Sequence, residues 1–281
     1  MIKVLYHDIA GEGAKEQAWK GVEQYFEGET FEYVNVVELE DANAYFAGLT
    51  PDDKLMITGG DGSIHQFVNR TQDAKCPCPI WYYATGTGND FLRDITGEDT
   101  HEPLCIDQYL VRLPKAKVKG QTYRYINNVG YGIDGYCCET ADQLKEQGKK
   151  VDYTGIAIKG LLFHYKPCSA VITVDGVRHE YKKAWLATTM NGRLYGGGMQ
   201  ATPEQDRLNP EGTQSVLLFH DKGRIKTLMV FAKIFTGEHL KSPEMVKVFT
   251  GKKITVEFSS PRPVQIDGEV IKDVTEYTVE A

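Results

Sequence analysis

The sequence has no long hydrophobic run. Its most apolar stretches, residues 156–163 and 228–235, are interrupted by Lys159 and Lys233 and fall short of the roughly 20 residues that cross a bilayer. A spanning helix is therefore excluded, and any meeting with lipid has to occur at the surface. Positive charge is also in deficit: 32 Lys and Arg against 39 Asp and Glu give a formal net charge of -7. Affinity for a phosphate backbone comes largely from clustered Lys and Arg, so nucleic acid is excluded as the main partner. Six cysteines in 281 residues are too sparse for a disulfide framework. Neither Cys76-Pro-Cys78 nor Cys137-Cys138 has the paired CxxC spacing of a zinc site, and reduced, mostly buried thiols are expected. The opening MIKVLYHD lacks an apolar signal region and a small-residue cleavage site, which predicts a cytoplasmic chain. The glycosylation sequon Asn69-Arg70-Thr71 then carries no meaning.

What the chain does have is enough length for two domains of the usual 100 to 200 residues. Its composition is that of an ordinary globular protein, 41% hydrophobic and 25% charged. Up to about residue 112, short apolar runs at 2–6, 31–37, 55–58 and 80–84 alternate with segments of helical spacing at 14–26 and 41–49. This predicts an α/β N-terminal domain with a doubly wound, mostly parallel sheet over residues 1–112. From 113 to 281 the pattern changes to alternating runs at 170–174, 184–190, 214–219, 253–258 and 263–266, punctuated by Gly, Pro and Asp-Gly turns. A mainly antiparallel, sandwich-like second domain is expected, interrupted by two amphipathic helices at 152–165 and 224–235. The extreme C-terminus is left free to pack back on the first domain.

Chemistry concentrates in two glycine loops. The run at 55–58 enters Gly59-Gly60-Asp61-Gly62-Ser63 and then a helical pattern at 64–70; the run at 80–84 enters Thr85-Gly86-Thr87-Gly88-Asn89-Asp90-Phe91. Strand, glycine loop and helix N-terminus together bring backbone N–H groups close to an anion, so phosphate is the natural occupant. Asp61 beside a polyphosphate is repelled unless a cation or water network stands between them, which points to Mg²⁺. Ligands of such sheets bind beyond the carboxyl ends of the strands, so both loops serve one crevice.

GGDGS followed by GTGNDF resembles the hallmark motifs of diacylglycerol kinase catalytic domains and their bacterial lipid kinase relatives. The resemblance continues through Asn127-Asn128-Val129-Gly130-Tyr131-Gly132-Ile133-Asp134, Asn191-Gly192-Arg193 with Gly196-Gly197-Gly198, and Val264-Gln265-Ile266-Asp267-Gly268-Glu269. It implies an NAD-kinase/diacylglycerol-kinase-like architecture, a site in the cleft between the domains, and Mg²⁺-dependent transfer of the γ-phosphate of ATP to a lipid hydroxyl. By the same resemblance Gly59, Gly60, Asp61, Gly62, Ser63 and Thr87 line the ATP phosphates, and Asn89 positions its loop. Asp61 and Asp90 support the metal through water, Glu211 is a further metal ligand, and Asp267 and Glu269 carry the base function, with Asp267 the expected proton acceptor and Glu269 sharing the role or orienting the base.

The sequence also departs from the family pattern. His7-Asp8-Ile9-Ala10-Gly11 stands where the family has Asn-Pro-x-Ser-Gly, Lys117 stands near the place of a family aspartate for which Asp107 could substitute, and Glu211-Gly212 replaces Asp-Gly. The expected partner is a lipid substrate at a membrane surface, met through Lys222, Arg224, Lys226 and Lys233, and a homodimer is left open. Two alternatives stand beside this reading: a kinase for a non-lipid alcohol or an NAD-like acceptor, and an inactive nucleotide-sensing module.

Overall fold

Ile2, Val4 and Leu5 at the start of the chain are buried in the middle of a five-stranded sheet. The computed structural model describes residues 1–7, 20–71, 76–86, 88–98, 100 and 102–280, in two units, Met1–Arg112 and Leu113–Ala281. In the first unit β1 (Ile2–Tyr6), β2 (Phe31–Asn35), β3 (Lys54–Gly59) and β4 (Ile80–Ala84) lie parallel in the order β2-β1-β3-β4, and the short β5 (Leu104–Cys105) adds antiparallel to β4.

The sheet's cover follows from capping and apolar spacing. Asp41 accepts from the Ala44 N–H at 2.9 Å and starts α1 (Ala42–Ala47). Phe46 on α1 meets Phe67 on α2 (Asp61–Arg70) edge-to-face at 5.2 Å between ring centroids. Ile64 and Val68, i and i+4 on α2, are buried on the same side. The rest of the unit holds α3 (Asp90–Thr96) and α4 (Asp107–Leu110). Of the helix expected at 14–26, only a 3-10 turn, Gly21–Tyr25, falls within the described residues.

The second unit is an antiparallel sandwich-like sheet system. Its strands are β6 (Lys115–Val118), β7 (Gln121–Arg124), β8 (Asn128–Gly132), β9 (Cys168–Val174), β10 (Val177–Met190), β11 (Leu194–Tyr195), β12 (Met199–Gln200), β13 (Gln214–His220), β14 (Val246–Gly251), β15 (Lys253–Ile266) and β16 (Glu269–Glu280). The large sheet runs β14-β13-β10-β8-β15-β16-β6-β7, and β9 pairs with both β10 and β15. β10 and β15 change partners along their length: the first half of each pairs with β9 and the second half with β8. The register of β15 on β16 breaks between Glu257 and Val264, where Pro261 and Pro263 lack the N–H a ladder needs. The runs at 253–258 and 263–266 are thus one bent strand.

Three α-helices interrupt this unit rather than two. α6 (Tyr153–Lys159) and α7 (Arg224–Phe231) fall in the expected places, but α5 (Ile133–Glu146) was not expected. Its buried residues are Ile133, Asp134, Gly135 and Ala141, too small and too polar a set to print a helical stripe on the sequence.

Candidate functional site

In the first unit the two glycine loops interlock through their backbones. At the carboxyl end of β3, Gly59 turns with φ of 131°, and a Cβ there would lie 2.0 Å from Ser63 Oγ. The Gly59 carbonyl accepts from the N–H groups of Thr85 (2.9 Å) and Gly86 (3.1 Å), and the Asp61 N–H donates to the Gly88 carbonyl at 2.9 Å. A Cβ on Gly86 would sit 2.8 Å from Gly60 Cα and N. Glycine is needed here because backbone meets backbone with no room for a side chain.

Asp61 joins the loops a second time. Its Oδ2 accepts from Asp90 N–H at 2.9 Å and its Oδ1 from Phe91 N–H at 3.2 Å, capping α3 from the neighbouring loop. Asn89 Nδ2 donates to the Gly86 carbonyl at 2.9 Å, and the buried Tyr82 hydroxyl donates to the Gly59 carbonyl at 3.0 Å. Asp90 is buried, with the Arg93 guanidinium 3.9 Å from its carboxylate. Gly62 and Ser63 form the first turn of α2, while Thr87 lies outside the described residues. Beside Ser63 and Thr58, a largely apolar cavity opens under His7, Val36 and Phe46. Residues 8–11, the rest of the atypical first loop, are outside the described set.

No cluster of three or more His, Cys, Asp or Glu side chains able to hold a metal occurs among the described residues. Mg²⁺ keeps several waters and needs only one or two protein carboxylates beside phosphate oxygens, so Asp61 and Asp90 fit support through water rather than a protein cage. Glu211, in the second unit, is exposed and ion-paired to Lys252 at 3.1 Å. Asp107 accepts from the Ile80 N–H at 2.8 Å, and Lys117 pairs with Glu280 at 2.8 Å; both have structural partners within their own unit.

In the second unit Asp267-Gly268 is the turn between β15 and β16, with φ of 48° and 98°. This is the left-handed pair of a tight hairpin. The Asp267 carboxylate reaches across to the strand end before β8, where it accepts from the N–H groups of Ile126 (2.7 Å), Asn127 (2.7 Å) and Asn128 (3.0 Å). Asn191 Nδ2 and Arg207 donate to the Ile126 carbonyl, and Arg207 Nη2 donates to Asn127 Oδ1 at 2.6 Å. The Asn127-Asn128, Asn191-Gly192 and Asp267-Gly268 motifs therefore meet at one place. Glu269 is exposed at the start of β16.

Sequence reading passed over Arg207 and Tyr195, and quoted Gln265 and Asp134 only as parts of motifs, without a role. Asp134, in the first turn of α5, is the most unusual. Its Oδ1 accepts from the Tyr195 hydroxyl at 3.0 Å, and its Oδ2 is buried with no hydrogen-bond partner. Burial pushes the carboxyl up to about 7, against the downward pull of the Tyr195 and Thr188 hydroxyls. The carboxyl occupies space that exists because residue 130 is glycine: a Cβ there would lie 2.4 Å from Asp134 Oδ2 and 2.6 Å from Gln265 Nε2. Gln265 in turn accepts from the Gly268 N–H at 2.7 Å, so the buried acid lies one side chain away from the Asp267 turn. An aspartate inside Gly-Tyr-Gly-Ile-Asp-Gly, a motif otherwise of small and apolar residues, was the signal available.

Both units match known protein families. Residues 1–116 match the family model of the diacylglycerol kinase catalytic domain, and residues 127–279 match the YegS C-terminal NAD kinase beta sandwich-like domain. A diacylglycerol kinase of Mycobacterium tuberculosis is 24% identical over 272 residues, covering 92% of this chain and 85% of the relative. A crystal structure of a diacylglycerol kinase from Bacillus anthracis superposes with a TM-score of 0.64 at 18% identity, over 99% of this chain and 92% of that one, and so shares its fold. With the two models spanning both units, the chain belongs to the diacylglycerol kinase catalytic domain family, carrying the YegS-type C-terminal domain.

Proposed function

We propose that the protein transfers the γ-phosphoryl group of ATP to the hydroxyl of a lipid, diacylglycerol or a relative of it, with Mg²⁺ bound alongside the phosphates. The observation that carries this is the interlock of the Gly59–Ser63 and Gly86–Asp90 loops at the carboxyl ends of β3 and β4, in a chain of a kinase family. Glycines without Cβ atoms let the phosphates approach the backbone, and the N-terminus of α2 favours their negative charge. Gly59, Gly60, Gly62, Ser63 and Thr87 bind the phosphates, Asn89 holds the second loop in place, and the cavity beside Ser63 takes the less polar part of the nucleotide.

Mg²⁺, when bound, offsets charge on the transferred group; Asp61 and Asp90 would hold it through water. Phosphoryl transfer asks little covalent chemistry of a protein beyond positioning and proton acceptance. The proton of the acceptor hydroxyl goes to the Asp267–Glu269 turn. Glu269 is the favoured base, because Asp267 is already committed to three backbone N–H groups. The protein would work at the inner face of a membrane.

The test is incubation with radiolabelled ATP, Mg²⁺ and a panel of lipids in mixed micelles, with product identification. A labelled phospholipid that fails to form when Mg²⁺ is chelated or Glu269→Gln is used is the expected result. ATP binding with no labelled product from any lipid or soluble alcohol would overturn the reading in favour of a nucleotide sensor.

A further inference from the structure

One corner of the second unit gathers polar groups around a thiol. β9 begins at Cys168, which pairs with Ala184 of β10 beyond a break in register after Tyr181. β15 leaves β9 after Phe258, paired with Ala170, and joins β8 at Val264, paired with Tyr131. Residues 259–263 between them belong to neither of those two ladders, and they bring Ser259, Ser260 and Arg262 beside the start of β9.

Cys168 is half-buried, and its Sγ lies 2.6 Å from the Tyr131 hydroxyl. Burial pushes the Tyr131 phenol up and keeps it protonated, so the hydroxyl donates to the sulfur once the thiol ionises. The Arg262 guanidinium lies 5.6 Å from the centroid of the Tyr165 ring and donates to the Lys166 carbonyl at 3.0 Å. No carboxylate pairs with it among the described residues.

Two donors in this corner are left over. The Tyr165 hydroxyl, on a residue only 3% exposed, and Arg262 Nε are buried with no hydrogen-bond partner. Burial first, and then the charge of an ionised Cys168, push the Tyr165 phenol up, so the hydroxyl stands close to the sulfur. Buried donors without acceptors are costly, and a thiol sulfur is only a weak acceptor. An oxygen carried on that sulfur would satisfy both.

The thiol is also set apart from its counterparts. Burial pushes the Cys78, Cys105, Cys137 and Cys138 thiols up. At Cys168 burial pulls the same way, but donors from Tyr131, Ser259, Ser260 and Arg262 to the ionised sulfur outweigh it and hold the thiol below its ordinary value.

We propose that Cys168 is a site of oxidation by hydrogen peroxide, and that the Tyr165 hydroxyl and Arg262 Nε receive the oxygen of the sulfenic acid formed there. The thiol releases its proton, and the thiolate attacks one oxygen of the peroxide. The S–O bond forms as the O–O bond breaks, and the departing hydroxide takes up a proton to leave as water. The sulfur is oxidised by two electrons and the peroxide reduced by two.

The test treats the full chain with hydrogen peroxide near neutral pH, removes the excess with catalase, traps sulfenic acid with dimedone after varied delays, and maps the label by mass spectrometry. It needs neither ATP nor lipid, so it stands apart from the kinase reading. Label on Cys168 ahead of every other cysteine is expected. Arg262→Gln should slow labelling about threefold, because a roughly tenfold smaller thiolate fraction is partly offset by the greater nucleophilicity of a more basic thiolate. Tyr165→Phe should leave thermal melting unchanged, since its hydroxyl has no partner to lose, yet shorten the life of the sulfenic acid about fivefold through one lost hydrogen bond. Equal or faster labelling of another cysteine in wild type would overturn the proposal, as would an unchanged lifetime in Tyr165→Phe. Those two measurements decide the matter whether or not Arg262→Gln folds.

Discussion

Replacing Asp134 by Asn should remove a large part of the pH dependence of this protein's stability. The carboxyl is pushed up to about 7 from an ordinary value of 3.8 by burial. Between those values the folded chain holds a proton that the unfolded chain has released, so stability is fully present below pH ~4 and is lost as pH rises through ~7. At about 1.36 kcal/mol per pH unit, the total is about 4 kcal/mol. The groups facing Asp134 do not cancel this. The Tyr195 and Thr188 hydroxyls only moderate the shift, and burial pushes the nearby Cys137 and Cys138 thiols up as well, keeping them uncharged.

Asn is nearly isosteric with the protonated acid and cannot ionise, so the variant should match wild type at pH ~4 and below, draw ahead by about 1.36 kcal/mol per pH unit above that, and exceed it by up to about 4 kcal/mol at pH 8. Urea unfolding followed at Trp185, with Trp19 and Trp81 replaced by Phe, reads the second unit. Other carboxylates titrate equally in both proteins and drop out of the difference. Parallel stability curves for wild type and variant from pH 4.5 to 8 would refute the reasoning, because they would mean Asp134 binds no proton that the unfolded chain lacks.

Gly86→Ala should cost roughly 1–3 kcal/mol by overpacking, since its Cβ would meet Gly60 backbone atoms at 2.8 Å that no rotamer can clear; an unchanged thermal midpoint would show that the loops do not interlock. Asp61→Ala should lower stability by about 0.5–2 kcal/mol through the lost cap on α3, in addition to any loss of turnover, and a melting curve identical to wild type would reject the capping role. Glu269→Gln should cut kcat by roughly 10² to 10⁴ with no change in urea midpoint. Asp267→Asn, by contrast, should lower the midpoint as well, because its amide would present donors to backbone N–H groups.

The parallel sheet was legible because each of its strands is a short apolar run closed by a turn signal. Ile2–Tyr6 and Ile80–Ala84 fall on their runs to the residue. The glycine loops were legible as strand-to-helix turns because each glycine run closes an apolar strand run, but the contact of one loop's backbone with the other's, which also requires Gly60 and Gly86, was not. What escaped notice was everything whose role depends on a distant partner. Asp61 reads as a metal residue in isolation, and only the arrival of the Asp90 and Phe91 N–H groups makes it a cap. Arg224 reads as a surface cation because nothing local reveals that Leu161 and Trp185, far off in sequence, will receive it. Asp134 was hidden by its own motif, since α5 buries small residues and carries no stripe that would announce a helix with an acid in its first turn.

The division of labour in the Asp267–Glu269 turn follows from the same kind of accounting. A residue at φ of 48° in a tight turn is best filled by Asn, Asp or Gly, so the position alone favours an aspartate whatever its chemistry. Its carboxylate then gathers the N–H groups of residues 126–128, and each bond to a charged acceptor is worth about 1.5–3 kcal/mol. Taking a proton would weaken all three at once, which is a poor arrangement for a group that must accept and release one in every turnover. The arrangement suits fixing Asn127 and Asn128 against Asn191 and Arg207. The Glu269 side chain, two residues on, has no hydrogen bond among the described residues to give up. The proposed base is more economically placed there, with Asp267 holding the backbone of residues 126–128.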